Sequence, residues 1–182
     1  YDDLDREVED MDALVGQLLA SSRLDFGVLT MRELSVRDVV NRAVERAGLS
    51  PTVAQIEGDG DRLTGDATLL QRAIANLLDN AKKHGTGVET LRVVIRPEKV
   101  SFDVLDRGPG LPEGGEAALF QKFQRKTDEN GTSEGLGLGL ALVKRIAQAH
   151  GGTVWARQRD GGGAVFGFDV ALKVADQSKN PT

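Results

Sequence analysis

Wound at about 100° per residue, residues 69–84 (Leu-Leu-Gln-Arg-Ala-Ile-Ala-Asn-Leu-Leu-Asp-Asn-Ala-Lys-Lys-His) divide into two chemically different faces. Leu70, Ile74, Leu77, Leu78 and Ala81 fall within about a third of the circumference, a stripe of the kind that packs on a core. Asn76, Asn80 and Lys83 stack at i, i+4 and i+7 on the other side. The solvated face of an acidic protein more often carries Glu, Lys and Arg, and asparagine is a mediocre helix former. Amide oxygens ligate a hard cation such as Mg2+, and an ammonium one turn on meets phosphate oxygens. Taken alone, the segment reads equally well as an amphipathic helix with a wet polar side.

The remaining composition limits what such a helix can serve. With 182 residues, 40% apolar and 28% charged, the chain can build one globular domain and an appendage. A net charge of −5 argues against a nucleic-acid groove or an anionic membrane surface as the main partner. Without cysteine there are no disulfides and no thiolate metal sites. No apolar run approaches the roughly 20 residues that span a bilayer, and no signal peptide opens the sequence. The expectation is a cytoplasmic piece, itself not membrane-inserted, of a protein that continues upstream of Tyr1, where a helical pattern is already under way. The 22 glycines cluster in 108–115, 131–139, 151–152 and 161–163, which marks loops that turn sharply or approach a ligand.

In chain order, Leu4, Val8, Met11, Val15, Leu18 and Ser22 recur at spacings of four and three, the seam of a helical hairpin or dimer; a helix packed on its own domain is the alternative. Val28–Leu34 reads as a short strand. Ser35 caps a helix from Val36 to Ala47, ended by Gly48. Thr52–Glu57 and Arg62–Thr64 read as weak strands, and Asp66 caps the central helix. Leu91–Arg96 and Val100–Leu105 form a hairpin. A short helix over Glu116–Phe123, a polar loop over 124–134 and a helix from Leu138 to Ala149 follow. Thr153–Arg159 and Ala164–Leu172 close the domain as a second hairpin. Helices and hairpins segregate, so the pattern predicts an α/β sandwich with a mixed sheet.

Three further stretches carry chemistry. Asp106-Arg107-Gly108-Pro109-Gly110 follows a strand; its carboxylate only accepts hydrogen bonds, which suits the exocyclic amine of adenine and repels the carbonyl of guanine. An ordinary Asp-Gly turn explains the same residues. Gly135-Leu136-Gly137-Leu138-Gly139-Leu140 opens a helix, where exposed amides and the helix dipole favour phosphate. It is neither a P-loop nor a dinucleotide fingerprint. In Leu119–Arg125, Phe120 and Phe123 read as core or as a hinge, with Arg125 free to swing toward a transferring phosphate.

The order and spacing of these stretches resemble the sensor histidine kinases, in the ATP-binding superfamily that also holds DNA gyrase B and Hsp90. Asn76–His84 matches the N box, Asp106–Gly110 the first glycine box, Leu119–Arg125 the F box and Gly135–Leu140 the second glycine box. The resemblance implies an α+β two-layer sandwich of a mixed β-sheet and three main helices, the Bergerat ATP-binding fold, over 27–172. It makes 1–26 the second helix of a dimerisation and phosphoacceptor hairpin, and 173–182 a disordered tail. It implies that Asp106, flanked by Gly108 and Gly110, reads adenine and that Asn80 ligates Mg2+. Asn76, Lys83 and Arg125 then act at the phosphates, and His84 and Phe123 line the site. Residues 124–139 form the lid, with Gly135, Leu136, Gly137, Leu138, Gly139 and Leu140 at its closing end.

The implied activity is transfer of the γ-phosphoryl of Mg-ATP to a histidine on the hairpin, then to an aspartate of a response regulator. The full-length protein is expected to be a homodimer anchored in a membrane by upstream segments. ATPase relatives carry at position 76 a glutamate that activates water; an amide cannot act as a general base, so Asn76 points to a kinase and away from a gyrase-like ATPase. Gln124 and Leu136 depart from the family's aromatic and small residues and leave a non-catalytic nucleotide-binding regulator as the alternative. Only His84 and His150 occur, each followed by glycine where the family's acceptor is followed by an acid. His150 reads as a helix C-terminal residue before a Gly-Gly cap, and the acceptor is expected on the hairpin helix that precedes Tyr1.

Overall fold

The computed structural model describes residues 2–111, 116–121 and 138–172. A long helix, α1 (Asp2–Asp25), leads into β1 (Arg32–Ser35), α2 (Val36–Arg46), a 3-10 turn at Pro51–Val53, β2 (Ala54–Glu57) and β3 (Arg62–Gly65). Then come α3 (Ala67–His84), β4 (Thr90–Ile95), β5 (Lys99–Leu105), the single turn α4 (Glu116–Leu119), α5 (Gly139–Ala149), β6 (Val154–Gln158) and β7 (Ala164–Ala171). Five strands form one sheet in the order β2-β4-β5-β7-β6, and β1 pairs with β3 at its side. Only β2 and β4 run parallel within the large sheet. The sheet is therefore mixed, as the segregated hairpins predicted.

Period-two alternation builds the core. Leu91, Val93, Val100, Phe102, Val104, Phe168 and Val170 are buried, and the rings of Phe102 and Phe168 stack with centroids 4.9 Å apart. They share one cluster with Val39, Val40 and Val44 of α2, the stripe of α3, and Val143 and Ile146 of α5. In α3 itself Leu70, Ile74, Leu77, Leu78 and Ala81 are at most 1% exposed. Each large side chain so buried contributes about 2 kcal/mol, which exceeds the roughly 0.6 kcal/mol by which each asparagine weakens the helix. Burial of the stripe, not propensity, makes α3 a helix.

Side-chain oxygens start the helices as expected. Ser35 Oγ accepts from the Asp38 amide, 3.1 Å, and donates to Asp61, 2.7 Å, whose other oxygen takes the Arg37 amide. Asp66 Oδ1 accepts from the Leu69 amide at 3.2 Å. The expected strand over Val28–Leu34 is shorter, because the chain before Arg32 is committed elsewhere. The Val28 amide donates to Arg23 O, and the Thr30 amide to Asp66 Oδ2, closing α1 and leaving no ladder to form. The expected helix over Glu116–Phe123 is one turn, α4; residues 122 and 123, like 173–182, lie outside the described residues.

α1 is two-sided. One side lies on α3 and α5, burying Ala20 and part of Leu24. Three arginines fasten it there. Arg23 meets the buried Asp66 carboxylate at 2.6 Å; Arg145 of α5 donates to Ser21 at 2.6 Å and pairs with Asp25. The Arg72 guanidinium lies against Gly16, in space that a Cβ would fill. The other side leaves Leu4, Val8, Met11, Val15 and Leu18 each more than half exposed.

Candidate functional site

α3 carries the amide and ammonium groups on one face, but with unequal exposure. Asn76 is 6% exposed, and its Nδ2 donates to Gly139 O at 3.1 Å. The first turn of α5 covers it, so the stripe it shares with Asn80 and Lys83 is not wet at that end. Among the described residues no hydrogen bond reaches the Asn76 amide oxygen. Asn80 is half-buried, while Lys83 and His84 are exposed in the last turn. The neighbouring lysines divide their work: Lys82 donates to Ala47 O at the end of α2, leaving Lys83 for the other side.

Gly85, which ends α3, abuts Asp106, the residue after β5. Asp106 is 3% exposed. Its amide donates to Ala164 O at 3.0 Å, and its Oδ1 accepts from the Gly108 amide at 2.8 Å and the Ala164 amide at 3.1 Å. Among the described residues nothing donates to Oδ2, which lies so close to Gly85 that a Cβ there would stand 2.6 Å from it. A Cβ on Gly108 would likewise stand 2.5 Å from Gly85 Cα. Glycine at 85 and 108 thus lets two backbone segments close on this carboxylate with no side chain between them.

The loop from Asp106 to Leu111 rests on the end of β6. Arg159 donates through NH1 to Asp106 O at 2.6 Å and pairs with Glu89. Glu89 also binds Arg107 at 2.9 Å, and Gln158 Oε1 accepts from the Leu111 amide at 2.8 Å. The two arginines hold the Glu89 carboxyl below the usual range. No spacing pattern in the sequence marks Glu89, Gln158 or Arg159.

Leu138, Gly139 and Leu140 form the start of α5, partly exposed, and no side chain caps that helix. Its first amides therefore lack a partner from a capping side chain, the arrangement that favours an anion. Phe123, Gln124, Arg125, Gly135, Leu136 and Gly137 lie outside the described residues. Among the described residues no cluster of His, Asp and Glu could hold a metal by itself. One or two amide oxygens beside exposed ammonium groups suit Mg2+ that arrives with phosphates and keeps several waters.

His150 caps α5 and does more. Its Nε2 accepts the Asp66 amide at 3.0 Å, and its Nδ1 stands 2.8 Å from Ile146 O, so the ring is neutral with its proton on Nδ1. Burial pushes its pKa down, against the smaller opposing pulls of the Ile146 carbonyl and Asp66. Below about pH 6.5 the unfolded chain takes up this proton and the folded chain does not. The stabilisation is complete above that pH and is lost as pH falls toward the lowered native pKa. The melting temperature is expected to fall more steeply between pH 7 and 5 in the wild type than in His150→Gln; parallel curves would exclude this residue as the cause.

The sequence profile of the histidine kinase-, DNA gyrase B- and HSP90-like ATPases matches residues 65–174, more than half of the chain, and the chain belongs to that family. Its relatives narrow the assignment. Sensor protein KdpD of Mycobacterium tuberculosis is 35% identical over 179 residues, 92% of this chain and 21% of that protein. The histidine-protein kinase/phosphatase MprB of Mycolicibacterium paratuberculosis is 33% identical over 180 residues, covering 96% and 34%. The ATP-binding domain of PrrB from Mycobacterium tuberculosis superposes with a TM-score of 0.60 at 27% identity, over 79% of this chain and 98% of that one. The chain spans between a fifth and a third of the two curated relatives. It is an ATP-binding catalytic domain of the sensor histidine kinase type.

Proposed function

We propose that this domain binds Mg-ATP and passes its γ-phosphoryl group to a histidine on a dimerisation hairpin, for onward transfer to a response-regulator aspartate. The observation that carries the reading is the Asp106 carboxylate, with one oxygen engaged by two amides and the other, packed against Gly85, taking no donor among the described residues. That second oxygen accepts the 6-amino group of adenine. Asn80 would supply an oxygen to Mg2+, which would offset charge on the phosphates, while Asn76 stands one turn away against the start of α5. Lys83 and the first amides of α5 would meet the phosphates, with His84 at the end of α3 nearby; Arg125 and Phe123, outside the described residues, take a phosphate-ligand and a lining role from the motif match alone.

In the transfer, an imidazole nitrogen lone pair forms the bond to the γ-phosphorus as the bond to the β,γ-bridging oxygen breaks and ADP leaves. Positioning and charge neutralisation supply most of the acceleration. No general base is needed, because neutral imidazole already presents its lone pair, and Asn76 cannot supply one. Neither histidine here suits the acceptor's part: His150 is buried in a structural bridge, and His84 ends α3 beside the site.

α1 takes the place of one hairpin helix, its exposed seam of Leu4, Val8, Met11, Val15 and Leu18 being the face for the second helix and a second protomer. Among the described residues no helix is long and apolar enough to cross a membrane, and any anchor belongs to other segments. The test supplies a separate hairpin bearing its histidine together with γ-labelled ATP. Acid-labile, base-stable label on the hairpin is expected; phosphate release without labelling would favour the ATPase, and nucleotide binding without either would favour a regulator.

A further inference from the structure

We propose that Arg159, aimed by Glu89, is the positioning residue for Asp106 and sets how strongly this site prefers a 6-amino over a 6-oxo purine. The inference rests on the reading of Asp106 as the adenine acceptor. Beyond the rung where Leu105 faces Val165, the Asp106 amide still donates to Ala164 O, but the Ala164 amide returns to the Asp106 side chain and not to its carbonyl. Its carbonyl is taken instead by Arg159, 53 residues away.

Arg159 is built into the turn it spans. Its amide donates to Gly163 O at 3.0 Å, and its carbonyl accepts from the Gly162 amide. From there its side chain, only 15% exposed, crosses back to Asp106. Glu89, just before β4, holds the guanidinium from outside and Arg107 from the loop side. Next door, Gln158 fastens the Leu111 amide, so consecutive residues of one strand end tether both ends of the loop. The loop stays in place without Arg159 while the peptide bearing Asp106 gains freedom to turn.

That freedom would act on selectivity. A hydrogen bond weakens steeply as its angle opens. A carboxylate that can rotate admits a water between itself and the base, and the water serves an amino or an oxo group alike. Rigid aim is what leaves a 6-oxo purine facing an acceptor it cannot satisfy.

The test is calorimetry of ADP and inosine diphosphate on this chain, with melting curves in parallel. The wild type is expected to prefer ADP. Arg159→Leu is expected to cut the ADP-to-IDP affinity ratio roughly tenfold, about one charged hydrogen bond's worth, chiefly by weakening ADP. Arg159→Lys, which keeps a cation near Asp106 O, is expected to recover part of the ratio. A merely structural role predicts equal losses for both nucleotides and an unchanged ratio, which would overturn the inference. Should Arg159→Leu fail to fold, the surface change Glu89→Gln carries the same comparison, with an intermediate ratio expected and an unchanged one decisive against it. A wild type that binds both nucleotides equally would overturn instead the assignment of Asp106 to adenine.

Discussion

Asp106→Asn should abolish adenine-nucleotide binding in a protein that melts within a few degrees of the wild type. The two amides of Gly108 and Ala164 both donate to one carboxylate oxygen. An asparagine in that position keeps its own oxygen on those donors, because the reverse flip would set NH2 against two N–H groups. The substituted nitrogen is thereby forced into the place of Oδ2, and a donor faces the base where an acceptor stood. Losing a hydrogen bond to a charged group costs about 1.5–3 kcal/mol, and opposing donors add to it. Affinity for ADP should fall by roughly two to three orders of magnitude, while a 6-oxo purine is no longer disfavoured. Calorimetry that returned the wild-type affinity would remove Asp106 from the role.

Gly163→Ala should damage fold and site together. Gly163 has a φ of +92°, which an alanine adopts only under strain. A Cβ there would stand 2.8 Å from the Asp106 carbonyl carbon and 2.9 Å from Arg107 Cα, and closer still to the carbonyl oxygen. These neighbours are backbone, so no side chain can swing aside. The strain and the displaced loop together cost about 3 kcal/mol, or roughly 6–12 °C in melting temperature for a domain of this size. Nucleotide affinity should fall as well, because the atom pushed away is the one that Arg159 grips. A variant that melts normally yet binds poorly would show that the loop moves without stressing the sheet; normal values of both would contradict the contact itself.

Local signals explain what was legible in the sequence. The stripe of α3 is a periodicity of one helix, and Ser35 and Asp66 cap within three residues of themselves. The sheet followed from alternating hairpins. Asn76 shows where this reasoning stops: a helical wheel gives an angle but not the neighbour that covers it, and α5 covers that side. The strand expected over Val28–Leu34 starts only at Arg32 for a related reason, since a buried carboxylate 36 residues away captures the Thr30 amide. Glu89 and Arg159 meet across 70 residues, and the Asp66 amide meets His150 across 84. Such links leave no trace in spacing. Of the four matched stretches, the N box and first glycine box meet where His84 and the following Gly85 lie against Gly108 and Asp106, the described part of the second glycine box meets the N box through Gly139 and Asn76, and most of the F box lies outside the described residues.

The arginine attachments of α1 run from Gly16 to Asp25, while the apolar seam begins a dozen residues earlier. At 1.5 Å per residue the helix is about 36 Å long, gripped at one end and open along its outer length. A load on the open end would bear on Arg145 in α5 and on the Asp66 cap of α3, the places where ion pairs hold the helix.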